Sequence, residues 1–318
     1  MSALSHDLNA LPKPPAALRV LLAEIGPQWA TDIVRHSQSI KDAYAPLLAQ
    51  APKAGIAVVR DRAYGDHARQ VLDVFRPAGA HRAPVVMFVH GGAFVRGAKR
   101  VTDELYDNVL YWFARQGFVG VNVEYRLAPE APYPCGAQDL ALAIEWVHRH
   151  IDRDGGDPAR MLLIGHSAGG THAASYACDP LLGYLGRHVA ALVLISARLR
   201  ADQSRANPNA AGVRAYFGGD PALHDARSPV SHATRCDLPV LVAAAEFENP
   251  LLDVYALEFA HRLASARGCA PQYVQMLGHN HMSIVAHFNS GEETLGRTIL
   301  DFFDRVPPIP RASSRLKT

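Results

Sequence analysis

The sequence is poor in the features that staple, anchor or strongly charge a protein. It has 4 cysteines in 318 residues. Cys135, Cys178, Cys236 and Cys269 lie far apart with no CxxC pair, which argues against a zinc knuckle and a disulfide framework and leaves buried free thiols as the expectation. Neither sign of charge dominates: 32 basic residues stand against 30 acidic ones, scattered and not in blocks, for a formal net charge of +2. No electrostatic footprint for nucleic acid is visible, and a small neutral substrate is the more natural partner. No apolar run approaches a membrane span. The opening "MSALSHDLNALPKPPAALRVLLAEIG" has no basic segment leading into a sustained apolar core with a small-residue cleavage site, so a cytoplasmic location is expected. Internal repeats and low-complexity tracts are also lacking.

What is present is 49% hydrophobic composition, ample for one large domain or two modest ones. Residues 16–50 have helix-compatible spacing and precede any strand signal. "GIAVVRDRAYG" and "RQVLDVFRP" read as a hairpin. Strands and helices then alternate: "PVVMFVH", a helix over 101–116, "FVGVNVEY", a helix over 137–150, "RMLLIG", a helix after Ser167, "VAALVLIS", "LPVLVAAAE", a helix over 251–267, "PQYVQML" and a helix over 292–304. Such alternation predicts an α/β fold, a mostly parallel central sheet of about eight strands covered on both faces, with the hairpin as an antiparallel edge. Residues 198–237 break the alternation, being rich in Asn, Pro, Gly and Asp, and are expected to form a small cap with the N-terminal helices. The boundaries are therefore 1–54 for an N-terminal helical cap element, 55–305 for the main domain with 198–237 as a cap or lid insertion, and 306–318 for a frayed C-terminal tail.

Chemistry concentrates in "IGHSAGGTHAASYA", which sets Ser167 between Gly165 and Gly169. The apolar strand before it and the small-residue helix after it are the context of a nucleophile elbow, a strained turn that exposes the serine hydroxyl above the carboxyl edge of a sheet. A serine hydroxyl is a weak nucleophile without a base, an acid and oxyanion donors. "VMFVHGGAFVRG" ends a strand in His90-Gly91-Gly92-Ala93, where residues with little side chain let the main chain approach a substrate carbonyl. The expected donors are the N–H groups of Gly92, Ala93 and Ala168. His166 adjoins Ser167, but neighbouring side chains diverge in a tight elbow, so it is a poor acceptor for the hydroxyl proton.

"HGGAF", "YRLAPEAPYP", "GHSAGG" and "LGHNHMS", in that order between about residues 55 and 305, resemble the α/β-hydrolase carboxylesterases of the hormone-sensitive-lipase-like and feruloyl-esterase-like group. HGGA replaces the family's HGGG, and GHSAGG with GHNH tilts the resemblance toward feruloyl-esterase-like and arylformamidase-like members. The resemblance implies an α/β-hydrolase fold and His281 as the base, with His279 as the alternative. It also implies an acid in "EFENPLLD", where Glu248 occupies the place of the family's aspartate and Asn249 is an extra residue before Pro250. Asp253 and then Glu246 remain alternatives. Arg126, Glu130 and Asp139 of "YRLAPEAPYP" are expected to be buried polar ties, and the three tryptophans carry no assigned role.

The expected activity is hydrolysis of short- to medium-chain carboxylic esters through Ser167, His281 and Glu248, with no cofactor or metal. An arylformamidase or amidase using the same triad is the first alternative, and a non-catalytic hydrolase-fold binding protein is the second. A homodimer stays open.

Overall fold

The computed structural model describes residues 14–310. The hairpin forms as expected, β1 (Ile56–Ala63) against β2 (Val71–Pro77), and six further strands follow: β3 (Ala83–Val89), β4 (Val119–Val123), β5 (Gly156–His166), β6 (Ala191–Ile195), β7 (Val240–Phe247) and β8 (Gln272–Asn280). In the described residues they build an eight-stranded sheet in the order β1-β2-β4-β3-β5-β6-β7-β8. β2 pairs antiparallel with β1 and β4, and the pairs from β4 to β8 are parallel. The central strands are buried along nearly their whole length, which is why they read as continuous apolar runs without alternation.

In chain order the helices are α1 (Ala16–Ile25), α2 (Ile33–Ala49), α3 (Asp107–Arg115), α4 (Cys135–His150), α5 (Ala168–Cys178), α6 (Ala210–Phe217), α7 (His224–Arg227), α8 (Leu252–Arg267), α9 (Ser283–Ala286) and α10 (Thr294–Phe303). Leu140, Ile144, Ala173, Ala177, Phe259 and Leu263 put α4, α5 and α8 on one face of the sheet. Leu110, Phe113, Ile299 and Phe302 put α3 and α10 on the other, and Leu18, Leu22, Ile40, Tyr44 and Leu48 from α1 and α2 enter the same apolar layer. The N-terminal helices thus bury a stripe in the core of the main domain besides reaching toward its carboxyl edge.

Several expectations need correction. The helix expected over 101–116 starts only at Asp107, because the Thr102 hydroxyl accepts the Glu104 and Leu105 N–H groups in a local turn that competes with helix. Glu130 is exposed, while Arg126 does clasp Asp139 at 2.7 Å. Glu124 provides the other tie, bonding His90 Nε2 at 2.9 Å and the Lys99 N–H at 2.9 Å. Of the four free cysteines, Cys178 and Cys236 are buried, Cys135 is half-buried and Cys269 is exposed. The tail starts later than expected: Val306 is buried and the Ile309 N–H donates to the Ala159 carbonyl at 2.8 Å. Residues 1–13 of the N-terminal element and 311–318 of the tail lie outside the described residues.

Candidate active site

β5 ends at His166, the chain reverses through Ser167 at φ 55°, and α5 starts at Ala168. A left-handed serine is strained and persists only where its surroundings hold it. Four main-chain bonds do so: the Ser167 N–H donates to the Ile195 carbonyl at 3.1 Å, and the Ser167 carbonyl accepts from Gly170 and Arg198, each at 3.1 Å, and from Thr171 at 3.3 Å. The flanking glycines are required by space. A Cβ on Gly165 would sit 2.6 Å from the Gly169 carbonyl oxygen, and one on Gly169 would overlap the Val89 and His90 carbonyls.

β8 and the turn after it bring His281 to the serine. The Ser167 hydroxyl donates to His281 Nε2 at 3.1 Å, and His281 Nδ1–H donates to Glu248 Oε2 at 2.7 Å. That tautomer follows from chemistry, since an ionised carboxylate only accepts. The other Glu248 oxygen accepts the Ala245 N–H at 2.9 Å, and the His281 N–H donates to the Phe247 carbonyl at 3.1 Å. His281 and Glu248 are therefore fixed to each other by backbone as well as side chain. Glu248 and His281 side chains are 3% and 8% exposed, so water competes little for their bond.

The alternatives lie elsewhere. His279 turns inward, with Nδ1 3.1 Å from the Ser283 hydroxyl and Nε2 2.9 Å from Glu292. Glu246 accepts the Gly278 N–H at 2.6 Å, and Asp253 sits in the first turn of α8. His166 is also turned away from the Ser167 hydroxyl: its Nε2–H donates to the His281 carbonyl at 3.0 Å and its Nδ1 faces the Tyr106 hydroxyl at 3.3 Å. Burial, with His281 close by, drives the His166 pKa well below the usual histidine value, so this ring stays neutral.

The glycine loop lies against the elbow, where a Cβ on Gly91 would be 3.0 Å from Ser167 Cβ. Gly92 has φ 147°, and Ala93 and Phe94 follow at φ 51° and 71°. Among the described residues no acceptor takes the Gly92 or Ala93 N–H. Two contacts were not legible in the sequence. The Trp29 indole donates to Asn249 at 2.9 Å, giving one tryptophan a partner, and the Arg198 N–H holds the Ser167 carbonyl. A cleft of about 650 Å³ opens beside this region, between α2 (Ile33, Ser37, Lys41) and Arg96, Pro208 and Asn209.

The sheet order and the strand-elbow-helix turn, with a histidine after the last strand, define an α/β-hydrolase. The chain has that fold, and its sequence is similar to the hormone-sensitive-lipase-like and feruloyl-esterase-like esterases. Residues 72–181 match the BD-FAE family model. The chain is similar to Esterase LipC of Mycobacterium tuberculosis, 38% identical over 109 residues, covering 34% of this chain and 26% of that protein. It is also similar to Gibberellin receptor GID1 of Oryza sativa subsp. japonica, 35% identical over 148 residues, 42% of this chain and 41% of the receptor. The matched stretches thus span between about a quarter and two fifths of these relatives' own lengths. In three dimensions an esterase of Pyrobaculum calidifontis superposes with a TM-score of 0.65 at 25% identity, over 92% of this chain and 99% of that one.

Proposed function

We propose that the protein is a serine carboxylesterase that hydrolyses short- to medium-chain esters by acyl transfer. The observation that carries the reading is the unbroken hydrogen-bond chain from Ser167 through His281 to Glu248, at 3.1 and 2.7 Å. Ser167 Oγ attacks the ester carbonyl as its proton passes to His281 Nε2, and Glu248 stabilises the resulting imidazolium. The tetrahedral oxyanion takes hydrogen bonds from the N–H groups of Gly92, Ala93 and Ala168, each such donor being worth roughly 3–4 kcal/mol. Collapse expels the alcohol with the proton from His281. Water, deprotonated by the same ring, then attacks the acyl-serine and releases the acid.

α2 residues between Ile33 and Asp42, together with Pro208 and Asn209, flank the cleft beside Arg96, which supports the proposed cap. Such a cap favours acyl chains up to roughly C4 to C8 over long ones, each buried methylene adding up to ~0.8 kcal/mol until the pocket ends. We propose a cytoplasmic enzyme; no described helix is long and apolar enough to cross a membrane. Self-association is read by sedimentation.

The same triad would serve a formamidase, and one relative is by name a receptor. A combined assay separates the three readings. Fluorophosphonate labelling mapped to Ser167 by mass spectrometry is expected, together with turnover of p-nitrophenyl butyrate that disappears in Ser167→Ala. N-formylkynurenine cleaved tenfold faster than the best ester assigns a formamidase. Absence of both labelling and turnover assigns a binding protein, and a rate maximum at C16 rejects the short-chain preference.

A further inference from the structure

The 198–237 insertion does more than roof the site. Ala93 and Phe94 are consecutive non-glycine residues in the left-handed region, at φ 51° and 71°, immediately after Gly92 at φ 147°. Left-handed backbone costs about 1–2 kcal/mol for each residue bearing a Cβ, and a strained conformation survives only where its surroundings over-determine it. Within the loop, the Arg96 N–H closes onto the Gly92 carbonyl at 3.1 Å, and outside it the Ala128 N–H holds the Phe94 carbonyl at 2.9 Å.

Further restraints come from α6 and from His172 of α5. The N-cap residue Asn209 accepts from Arg96 Nη2 at 3.0 Å. One turn on, Gly212 lies so close to the loop that a Cβ there would overlap the Ala93 carbonyl oxygen. One further turn on, Tyr216 stacks on Phe94 with ring centroids 4.6 Å apart and planes 6° from parallel. Phe217 and His172 meet the same Phe94 ring edge-on at 5.4 and 5.7 Å. Asn209, Gly212 and Tyr216 are spaced i, i+3, i+7, one face of a helix, and each meets a different residue of the glycine loop. Tyr216 is itself fixed, its carbonyl accepting the Tyr133 N–H at 2.7 Å.

We infer that this face of α6 is a clamp that sets the oxyanion-hole geometry, with Gly212 and Tyr216 as positioning residues for the Gly92 and Ala93 N–H donors. The inference rests on the esterase reading above and extends it: the insertion determines how well the transition state is held. Its strength lies in replacing flexibility that a third glycine at position 93 would bring with contacts from a distant segment. Donors misplaced by a fraction of an ångström still allow substrate to bind while weakening the oxyanion bonds.

The test compares Gly212→Ala, Tyr216→Leu and Tyr216→Phe with wild type on p-nitrophenyl butyrate, beside affinity for a trifluoromethyl ketone that mimics the tetrahedral state and thermal melting of each variant. Gly212→Ala is expected to lower kcat by about 10- to 100-fold with KM within about threefold, and to weaken the ketone in parallel. Tyr216→Leu loses the stack and is expected to lower kcat about tenfold, whereas Tyr216→Phe retains the ring and the rate. If Gly212→Ala fails to fold, Tyr216→Leu carries the test, since Val213 and Phe217 still anchor α6 in its apolar cluster. Folded Gly212→Ala or Tyr216→Leu protein with wild-type kcat and ketone affinity overturns the clamp. A wild-type protein inert toward esters and formamides instead removes the esterase reading. In that case a crystal structure of Gly212→Ala decides the clamp alone, which stands if the Ala93 and Phe94 backbone shifts and falls if both keep their left-handed φ.

Discussion

The indole N–H of Trp29 donates to the side-chain carbonyl of Asn249 at 2.9 Å, joining residues 220 positions apart. Asn249 directly follows Glu248. It is buried, and its own carbonyl accepts the Leu252 N–H at 3.1 Å as α8 begins. Just before Trp29, Gly26 lies so close to the Phe247 ring that a Cβ would overlap it. The N-terminal segment is therefore seated on both sides of the candidate acid.

Asn249→Ala should leave the buried Trp29 N–H without an acceptor, costing about 1–3 kcal/mol of stability. With the acid loop loosened, kcat should fall by about three- to tenfold. A double-mutant cycle with Trp29→Phe measures the pair directly, and a coupling on the order of 1 kcal/mol is expected. Additive effects would mean that the bond contributes nothing of its own.

Glu248→Gln keeps the shape of the acid but removes the charge that stabilises imidazolium, so kcat should drop on the order of 10²- to 10⁴-fold. Asp253→Asn should cost far less, because Asp253 lies in the first turn of α8 and His281 Nδ1 is taken by Glu248. Steady-state kinetics on p-nitrophenyl butyrate ranks the two. The reverse order would reassign the acid.

The elbow and the glycine loop were legible because close approach of backbones demands small residues, and that demand leaves a local signature. Choosing His281 over His279 is different in kind. β7 and β8 pair regularly up to Ala245 with Met276, then resume at Phe247 with Asn280, so the register shifts across the stretch that carries His279 and leads to His281. A bulge of this sort reorients side chains without any marker that a strand pattern reveals. Only the resemblance favoured His281. The α6 face was not legible: residues 198–237 read only as a cap rich in Asn, Pro, Gly and Asp, and nothing local in "NAAGVRAYF" says what Asn209, Gly212 and Tyr216 meet. Trp29 and Asn249 are still harder, since their bond depends on packing two distant ends of the chain.

Gly169→Ala tests the close packing of helix and loop. The added Cβ would overlap the carbonyl oxygens of Val89 and His90, which are backbone atoms unable to swing aside as a flexible side chain could. Overpacking of this kind should cost about 1–3 kcal/mol. Because His90 leads into the glycine loop, kcat should also fall by about tenfold or more. Urea denaturation and kinetics on the same preparation report both effects, and an unchanged midpoint with unchanged kcat would show that α5 can withdraw freely from the loop.

Protonation of buried histidines should make the fold weaken in mild acid. Burial, reinforced by the neighbouring His90, lowers the His172 pKa from 6.5 to about 3. Burial likewise lowers His287 to about 4 and carries His166 well below 6.5. Above pH 6.5 these rings are neutral in both folded and unfolded chains, and their contribution to stability is fully present. Between 6.5 and the folded values the unfolded chain binds protons that the native protein refuses, so stability falls as pH falls, by ~1.4 kcal/mol per pH unit for each ring. His172 allows a clean test. It is wedged among Phe94, Tyr125 and Tyr216, and its Nδ1 is buried without a hydrogen-bond partner among the described residues. His172→Leu therefore removes a titrating group at little hydrogen-bonding cost. Urea denaturation between pH 7.5 and 5.0 should show a steep loss for the wild type and a shallower one for His172→Leu, the slope differing by about one proton. Equal slopes would mean that His172 takes up its proton in the folded protein as readily as in the unfolded chain.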